Sequence, residues 1–251
     1  MDFELWHLLL LTAAGTFAGI INVMAGGGSL LSVPIMLFLG LPGPVANGTN
    51  RISIIAQNVV AIRTFFRRGF SDFRLSLSLS TAAIPGAVLG ALVGVRLEGE
   101  VFDRVLAVIM LGVLILMQLP SKKREGASEP MTRNRLIAGH VLMYGAGCWG
   151  GFIQIGVGFI LMPILLRVMG MDLVRTNMHK VFIALAFNVA AIAIFASAVS
   201  IHWTFGVALA VGNALGGYLG ARFSVAGGAR WIRRAFTLVL LIFIAKLALP
   251  V

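Results

Sequence analysis

Apolar residues recur in long runs from Leu5 to Val251, with little of the polar face that a helix on a soluble protein presents. A helix needs roughly 20 mostly apolar residues to span a bilayer, and several runs reach that length. No basic stretch precedes the first run, Leu5–Met24, so we expect mature structure rather than a cleaved signal peptide. The pattern predicts an all-α polytopic membrane protein with about eight to ten transmembrane or re-entrant segments.

The two halves of the chain align with each other at an offset of about 130 positions. Each half has a glycine-broken apolar stretch, a short apolar segment with a proline, an Asn-rich helix start and a helix with small residues at every fourth position. We therefore predict a first membrane repeat at 1–120, a cytoplasmic linker at 121–135 and a second membrane repeat at 136–251. The aligned pairs include Gly40 with Gly170, Asn47 with Asn177, Asn58 with Asn188, and Phe73 with Trp203.

The distribution of positive charge predicts that the two repeats are inverted. The chain has 20 basic and 9 acidic residues, and the basic ones cluster between apolar segments, which favours positive-inside retention over nucleic-acid binding. Parallel halves would place ten basic residues on each side. Inverted halves place sixteen on one side and leave only Arg51, Arg96, Arg104 and Lys246 on the other. Inverted repeats are common in secondary transporters, and this arrangement puts the N-terminus outside.

The segment Ser29–Leu39 would form only about 17 Å of helix, too short to span the bilayer alone. It could belong to a re-entrant hairpin that turns at the middle of the membrane. Alternatively, both arms cross, and the second completes its passage as extended chain through Leu41–Val45. The sequence leaves both open.

The glycine runs are the first candidate site for a solute. They could break helices near the membrane midplane and aim free backbone N–H groups of the next helix at an anion, or they could permit close helix packing. Three consecutive glycines destabilise a helix by more than a need for close packing would justify. We therefore favour the interpretation that they break the helix and expose backbone N–H groups to an anion. The candidate residues are Gly26, Gly27, Gly28, Gly156 and Gly158, with Gln154 as a neighbouring polar ligand.

A polar stripe repeats on one face of the helix that follows each glycine run. Its members could contact the substrate or form hydrogen bonds between helices. We expect the strongest substrate contact from Asn47 and Asn177, which are predicted to begin helices. The stripe comprises Asn47, Asn50 and Asn58 in the first half and Asn177, Lys180 and Asn188 in the second, flanked by Thr49 and His179. Arg51 and Lys180 could balance an anion or snorkel to the headgroups, and for each alone we favour snorkelling.

Several residue patterns that other classes of membrane protein need are missing from the sequence, and this limits the functions to consider. We expect all nine acidic residues to lie in tails or connections, which favours an anion or neutral solute over a cation. The single cysteine, Cys148, and the scattered histidines predict no metal site, and no nucleotide-binding or hydrolase motif is present. The chain is therefore expected to be no enzyme and to need no cofactor. Glycines at every fourth position (Gly86, Gly90 and Gly94, and Gly212, Gly216 and Gly220) are interpreted as helix-packing surfaces.

The glycine motifs resemble the TauE/SafE sulfite exporter family. The first half carries Gly19-x6-Gly26-Gly27-Gly28-Ser29-x4-Pro34, then Gly40 and Ala46-Asn47-Gly48-Thr49-Asn50, and the second half carries Gly151-x4-Gly156-x-Gly158-x4-Pro163, Gly170 and Thr176-Asn177. The resemblance implies export of sulfite, sulfoacetate or a related organosulfur anion across a bacterial inner membrane. The expected partners are a small anionic solute and the bilayer, with a homodimer left open. The alternative is a non-transporting membrane subunit that scaffolds a partner.

Overall fold

The computed structural model describes residues 5–97, 99–118 and 130–226. These ranges are helical and contain no β-strand. The helices are α1 (Leu5–Ala25), α2 (Ser29–Phe38), α3 (Gly43–Arg67), α4 (Phe73–Gly94), α5 (Gly99–Gln118), α6 (Arg133–Phe152), α7 (Val157–Pro163) continued by a π-helical turn (Ile164–Val168), α8 (Leu173–Ala198) and α9 (Trp203–Ala226). Most of the predicted linker, 121–129, and Lys246 lie outside the described residues.

Four of the described helices, α1, α4, α8 and α9, are long and apolar enough to cross a bilayer. The prediction of an all-helical, multi-pass membrane protein is confirmed at this level. The total number of spanning segments stays a prediction.

Two helix starts differ from those expected. α3 begins at Gly43 with Pro44 in its first turn, so extended chain through Leu41–Val45 is wrong. Proline suits the first turn because its missing N–H would have no intrahelical partner there. Asn47 and Asn177 consequently lie one turn inside α3 and α8 instead of beginning them.

The chain turns at corresponding places in the two predicted repeats. Gly26 and Gly156, which follow α1 and α6, have φ angles of 86° and 73°. Gly40 and Gly170, which precede α3 and α8, have φ angles of 88° and 72°. Only glycine adopts this left-handed conformation without steric cost, so these four glycines fix where each broken segment starts and ends.

Helix pairing follows the same correspondence. α1 packs along α9 and α6 packs along α4, while α3 packs on α9 and α8 packs on α4. α3 and α8 also contact each other. The predicted packing role of the glycine ladders is confirmed. A Cβ on five of these glycines would collide with a neighbouring backbone, and a Cβ on Gly220 would lie 3.0 Å from the carbonyl oxygen of Ile20. Gly86, Gly90 and Gly94 face α6, and Gly212, Gly216 and Gly220 face α1.

Two acidic residues lie elsewhere than expected. Glu100 and Asp103 belong to the first two turns of α5 rather than to a connection, although both are exposed. Asp72 and Asp172 lie in connections, where they cap α4 and α8 by accepting hydrogen bonds from the backbone N–H groups of Leu75 and Arg175. None of these four carboxylates is buried in the helix bundle.

Candidate functional site

Two glycine tips, the first tip at residues 26–28 after α1 and the second tip at residues 156–158 at the start of α7, touch each other. A Cβ on Gly26 would lie 2.5 Å from Gly158 Cα and 2.6 Å from its carbonyl carbon. Real Cβ atoms do not approach backbone this closely, so the contact requires glycine on both sides. The turn after α1 therefore lies against the first turn of α7.

A small cavity lies beside this contact, with a volume of about 20 Å³. That is room for about one water molecule. Its apolar wall comes from α3, α7 and α8, and its polar wall comprises Asn22, Ser29, Asn58, Gln154, Lys180 and Asn188.

The cavity brings together part of the predicted site. Of the predicted residues, Asn58, Gln154, Gly158, Lys180 and Asn188 line it. The others are buried but do not line it: Gly26, Gly27, Gly28, Asn47, Thr49, Asn50, Arg51, Gly156, Asn177 and His179. The last residue of each polar stripe, Lys180 of the second stripe and residues of the second tip thus face the cavity.

Lys180 is buried, with 3% of its surface exposed. Its Nζ donates to the carbonyl of Val23, 2.7 Å away, and to Asn177 Oδ1, 3.0 Å away. Val23 lies in the last turn of α1, where the helix dipole places partial negative charge. No carboxylate of the described residues forms an ion pair with Lys180.

Arg51 is fully buried and has a different set of partners. Its guanidinium donates to the carbonyls of Gly150 (3.1 Å) and Gly151 (2.6 Å) at the end of α6, and to Asn188 Oδ1 (3.1 Å). Its Cζ lies 4.2 Å from the centre of the Phe195 ring. No described carboxylate forms an ion pair with it either.

These contacts correct the expectation that each cation snorkels to the headgroups. Long basic side chains snorkel when no internal partner is in reach, whereas helix-end carbonyls lie within reach of both Arg51 and Lys180. Arg51 on α3 binds the last carbonyls of α6, and Lys180 on α8 binds one at the end of α1. Each cation thus holds the glycine-broken helix of the other predicted repeat.

Most remaining members of the polar stripes connect helices. Asn47 donates to the carbonyl of Phe152 at the end of α6 (3.1 Å), and Thr49 Oγ1 accepts from the backbone N–H of His202 (3.0 Å). His179 Nδ1 lies 2.8 Å from Ser76 Oγ on α4. In this structure these side chains fit the interhelical interpretation.

Asn50 and Asn177 have the same connecting role. Asn50 accepts from Ser32 Oγ (2.6 Å) and donates to Ser29 Oγ (3.1 Å), which ties α3 to α2. Asn177 Nδ2 donates to Ser224 Oγ on α9 (2.8 Å).

The backbone of the first tip is more fully paired than expected. The N–H groups of Leu30 and Leu31 donate to the carbonyls of Gly27 and Gly28, both at 3.0 Å. The expectation of free N–H groups at the start of α2 is therefore wrong for these two residues. Polar side chains, rather than those amides, supply the cavity's donors.

Sequence reasoning missed a hydrogen-bond chain that leads into the cavity. Asn22 Nδ2 donates to Gln57 Oε1 (3.2 Å), and Gln57 Nε2 donates to Asn58 Oδ1 (3.1 Å). Asn22 is the only amide side chain in the apolar run of α1, and that isolation was the available signal. Two buried atoms of the lining, Asn58 Nδ2 and Gln154 Oε1, have no hydrogen-bond partner among the described residues. Gln154 also has a φ of 61°, which is strained for a residue with a side chain.

The chain is similar to known membrane transporters over nearly its whole length. The family model described as "Sulfite exporter TauE/SafE" matches residues 11–247. A probable membrane transporter protein, ORF9, from a Sinorhizobium species is 27% identical over 93% of this chain and 90% of its own length. A probable membrane transporter protein from Haemophilus influenzae is 25% identical over 98% of this chain and 96% of its own.

A third relative, the probable membrane transporter protein YfcA of Escherichia coli K12, is 24% identical over 92% of this chain and 85% of its own length. No solved structure matches the chain. A family match over nearly the whole length, together with an all-helical bundle that includes four apolar membrane-length helices, decides the classification. The chain therefore belongs to the sulfite exporter TauE/SafE family of membrane transporters.

Proposed function

We propose that this transporter exports a small anion of the sulfite or organosulfonate class across a bacterial inner membrane by alternating access. The observation that carries the proposal is the burial of Lys180 and Arg51 at the glycine tips without a described carboxylate partner. A buried charge is expensive unless it is paired, and neutral carbonyls compensate it only in part. An anion that enters the cavity beside the tips supplies the missing charge.

The absence of a buried acidic side chain among the described residues supports an anion over a cation. Cation carriers commonly bury a carboxylate within a span to bind the ion or relay a proton. The described carboxylates lie instead at the starts of α4, α5 and α8. The polarity of the cavity is therefore set by one ammonium group, four amides and one hydroxyl.

Inverted repeats remain our preferred arrangement of the halves. The matching positive φ angles at Gly26 and Gly156, and the exchanged helix pairings of α1 with α9 and α6 with α4, support a repeat. Its inversion rests on the positive-inside bias, which hardly changes when the buried Arg51 and Lys180 are left out of the count. Inversion would place the tips between two access routes, one from each face.

The size of the cavity supports a moving site. A sulfonate or sulfite group has several non-hydrogen atoms, whereas about 20 Å³ holds about one water molecule. Anion binding therefore requires the cavity to widen. Such a change between closed and open walls is the elementary step of alternating access.

The test is anion efflux from proteoliposomes that contain the purified chain. We expect sulfite efflux from the wild type, loss of efflux in Lys180→Met, and unchanged efflux in Arg222→Met, a control that removes an exposed cation near the end of α9. Equal efflux in the two variants would exclude Lys180 from the site. Folded wild-type protein that moves no anion would favour the scaffold alternative.

A further inference from the structure

The cavity beside the glycine tips is closed in this structure. Its lining residues Asn58 on α3 and Asn188 on α8 are 1% and 0% exposed, so a solute cannot reach them from either end of the helix bundle. Transport needs a route from each end, and side chains on each route have to move aside. The packing of α3 against α8 identifies candidates for these side chains.

The two helices run in opposite directions along the cavity. Arg51, near the start of α3, donates to Asn188 in the second half of α8, whereas Phe65, near the end of α3, shares a buried cluster with Met178 near the start of α8. The end of the bundle where α3 starts is therefore the end where α8 finishes. A side chain that follows the lining residues on α8 lies towards this end, and one that follows them on α3 lies towards the other.

One phenylalanine follows the lining asparagine of each helix at the same spacing. Phe65 comes seven residues after Asn58, and Phe195 comes seven residues after Asn188. Seven residues make about two helical turns, so each ring lies on the same helix face as its asparagine and about 10.5 Å further along the helix. Both phenylalanines are 0% exposed. Phe65 and Phe195 therefore lie between the cavity and opposite ends of the bundle.

Each ring also lies beside the end of a glycine-broken helix. The centre of the Phe195 ring is 4.2 Å from Cζ of Arg51, whose guanidinium donates to two carbonyls near the end of α6. Phe65 belongs to the buried cluster that includes Val23, in the last turn of α1. A movement of either helix end therefore changes the packing of the ring beside it.

We infer that Phe195 and Phe65 are the two gates of the transport route. The Phe195 gate closes the route towards the end where α3 starts, and the Phe65 gate closes the route towards the end where α8 starts. The inference rests on the proposed function and adds which side chain opens each route. A phenylalanine suits this role because one ring buries a large apolar area and can close a narrow route alone. Alternating access requires that one gate opens while the other stays closed.

The two gates differ in what holds them closed. The Arg51 guanidinium lies over the Phe195 ring, and such a contact is stronger when it is shielded from water. The Phe65 gate is held by apolar neighbours, including Val23, Met178 and Val181. Arg51→Met should therefore loosen the Phe195 gate and leave the Phe65 gate closed.

The test is the side from which a thiol in the cavity wall reacts. The full-length chain with Cys148→Ser and Ala184→Cys is placed in oriented vesicles, and a membrane-impermeant thiol reagent is added on one side at a time. The ratio of the two labelling rates cancels the intrinsic reactivity of the thiol. In a separate chain, Ser71→Cys in the exposed α3–α4 connection marks the side on which α8 starts.

We expect the two gate variants to shift this ratio in opposite directions. Phe195→Ala should raise labelling from the end where α3 starts, relative to the other end, by about tenfold or more. Phe65→Ala should change the ratio by about as much the other way, and Arg51→Met should shift it in the same direction as Phe195→Ala. If an alanine variant does not fold, Phe195→Leu and Phe65→Leu should give smaller shifts in the same two directions.

The two variants are matched controls, because each removes the same buried ring from a corresponding position of α3 or α8. Ratios that stay unchanged, or that shift in the same direction in both variants, would mean a general loosening of the bundle and would overturn the gates. Labelling of the chain with both phenylalanines intact from one side only, or from neither, would contradict the proposed function instead. The gates would still be supported in that case if one variant opened the unlabelled side.

Discussion

The contact between the two glycine tips predicts separable losses of stability on substitution by alanine. At Gly26 the φ of 86° costs a residue with a side chain roughly 1–2 kcal/mol. The new Cβ would also lie 2.5 Å from Gly158 Cα, and backbone cannot rotate away, which adds about 1–3 kcal/mol of overpacking. Gly26→Ala should therefore lower the free energy of unfolding by about 2–5 kcal/mol.

Gly156 provides the matched control, because it occupies the corresponding position of the second half with a φ of 73°. Its Cβ would meet only Val113 and Ile109 side chains, at 3.5 and 3.6 Å, which is ordinary van der Waals contact. Gly156→Ala should thus lose only the conformational part, about 1–2 kcal/mol. Unfolding in mixed detergent and SDS micelles, followed by tryptophan fluorescence, measures both variants. Equal losses would refute the close contact of the tips.

Two further predictions concern helix packing and capping. Gly147→Ala should lower the free energy of unfolding by about 1–3 kcal/mol, because its Cβ would collide with the backbone of Ala83. Gly145 is the control, since a Cβ there would meet open space, and Gly145→Ala should leave the free energy of unfolding unchanged or slightly higher. Equal effects of the two variants in the same assay would contradict the packing of α4 on α6. Asp72→Ala should cost about 1 kcal/mol by removing the cap on the Leu75 N–H; Asp72→Asn should restore it, and thermal unfolding of the two variants would differ little if the cap were unimportant.

The sequence alone located the framework of the site. The internal repeat identified Gly26 and Gly156 as corresponding turns, and both have the positive φ that only glycine adopts readily. The spacing of small residues also predicted the close helix crossings. The turns and the helix crossings could be predicted from the sequence because each depends on a local backbone requirement that glycine meets.

The positions of the two cations could not be predicted in this way. Lys180 binds a carbonyl 157 residues away in the chain, and Arg51 binds two that are 99 and 100 residues away. Whether such a side chain snorkels or stays inside depends on which helix end the fold brings next to it. Asn22 was overlooked for the same reason, since its partner Gln57 lies on another helix.

The most direct test of anion transport at the glycine tips is the accessibility of a single cysteine in the cavity wall. Cys148 is the only cysteine in the chain and can be replaced by serine, and Ala184→Cys then places a thiol in the lining. We predict that a membrane-impermeant thiol reagent labels this cysteine from either side of oriented vesicles, and that methanesulfonate slows labelling from both sides. Labelling from one side only, or at a rate that saturating methanesulfonate leaves unchanged, would contradict an alternating-access anion site at the tips.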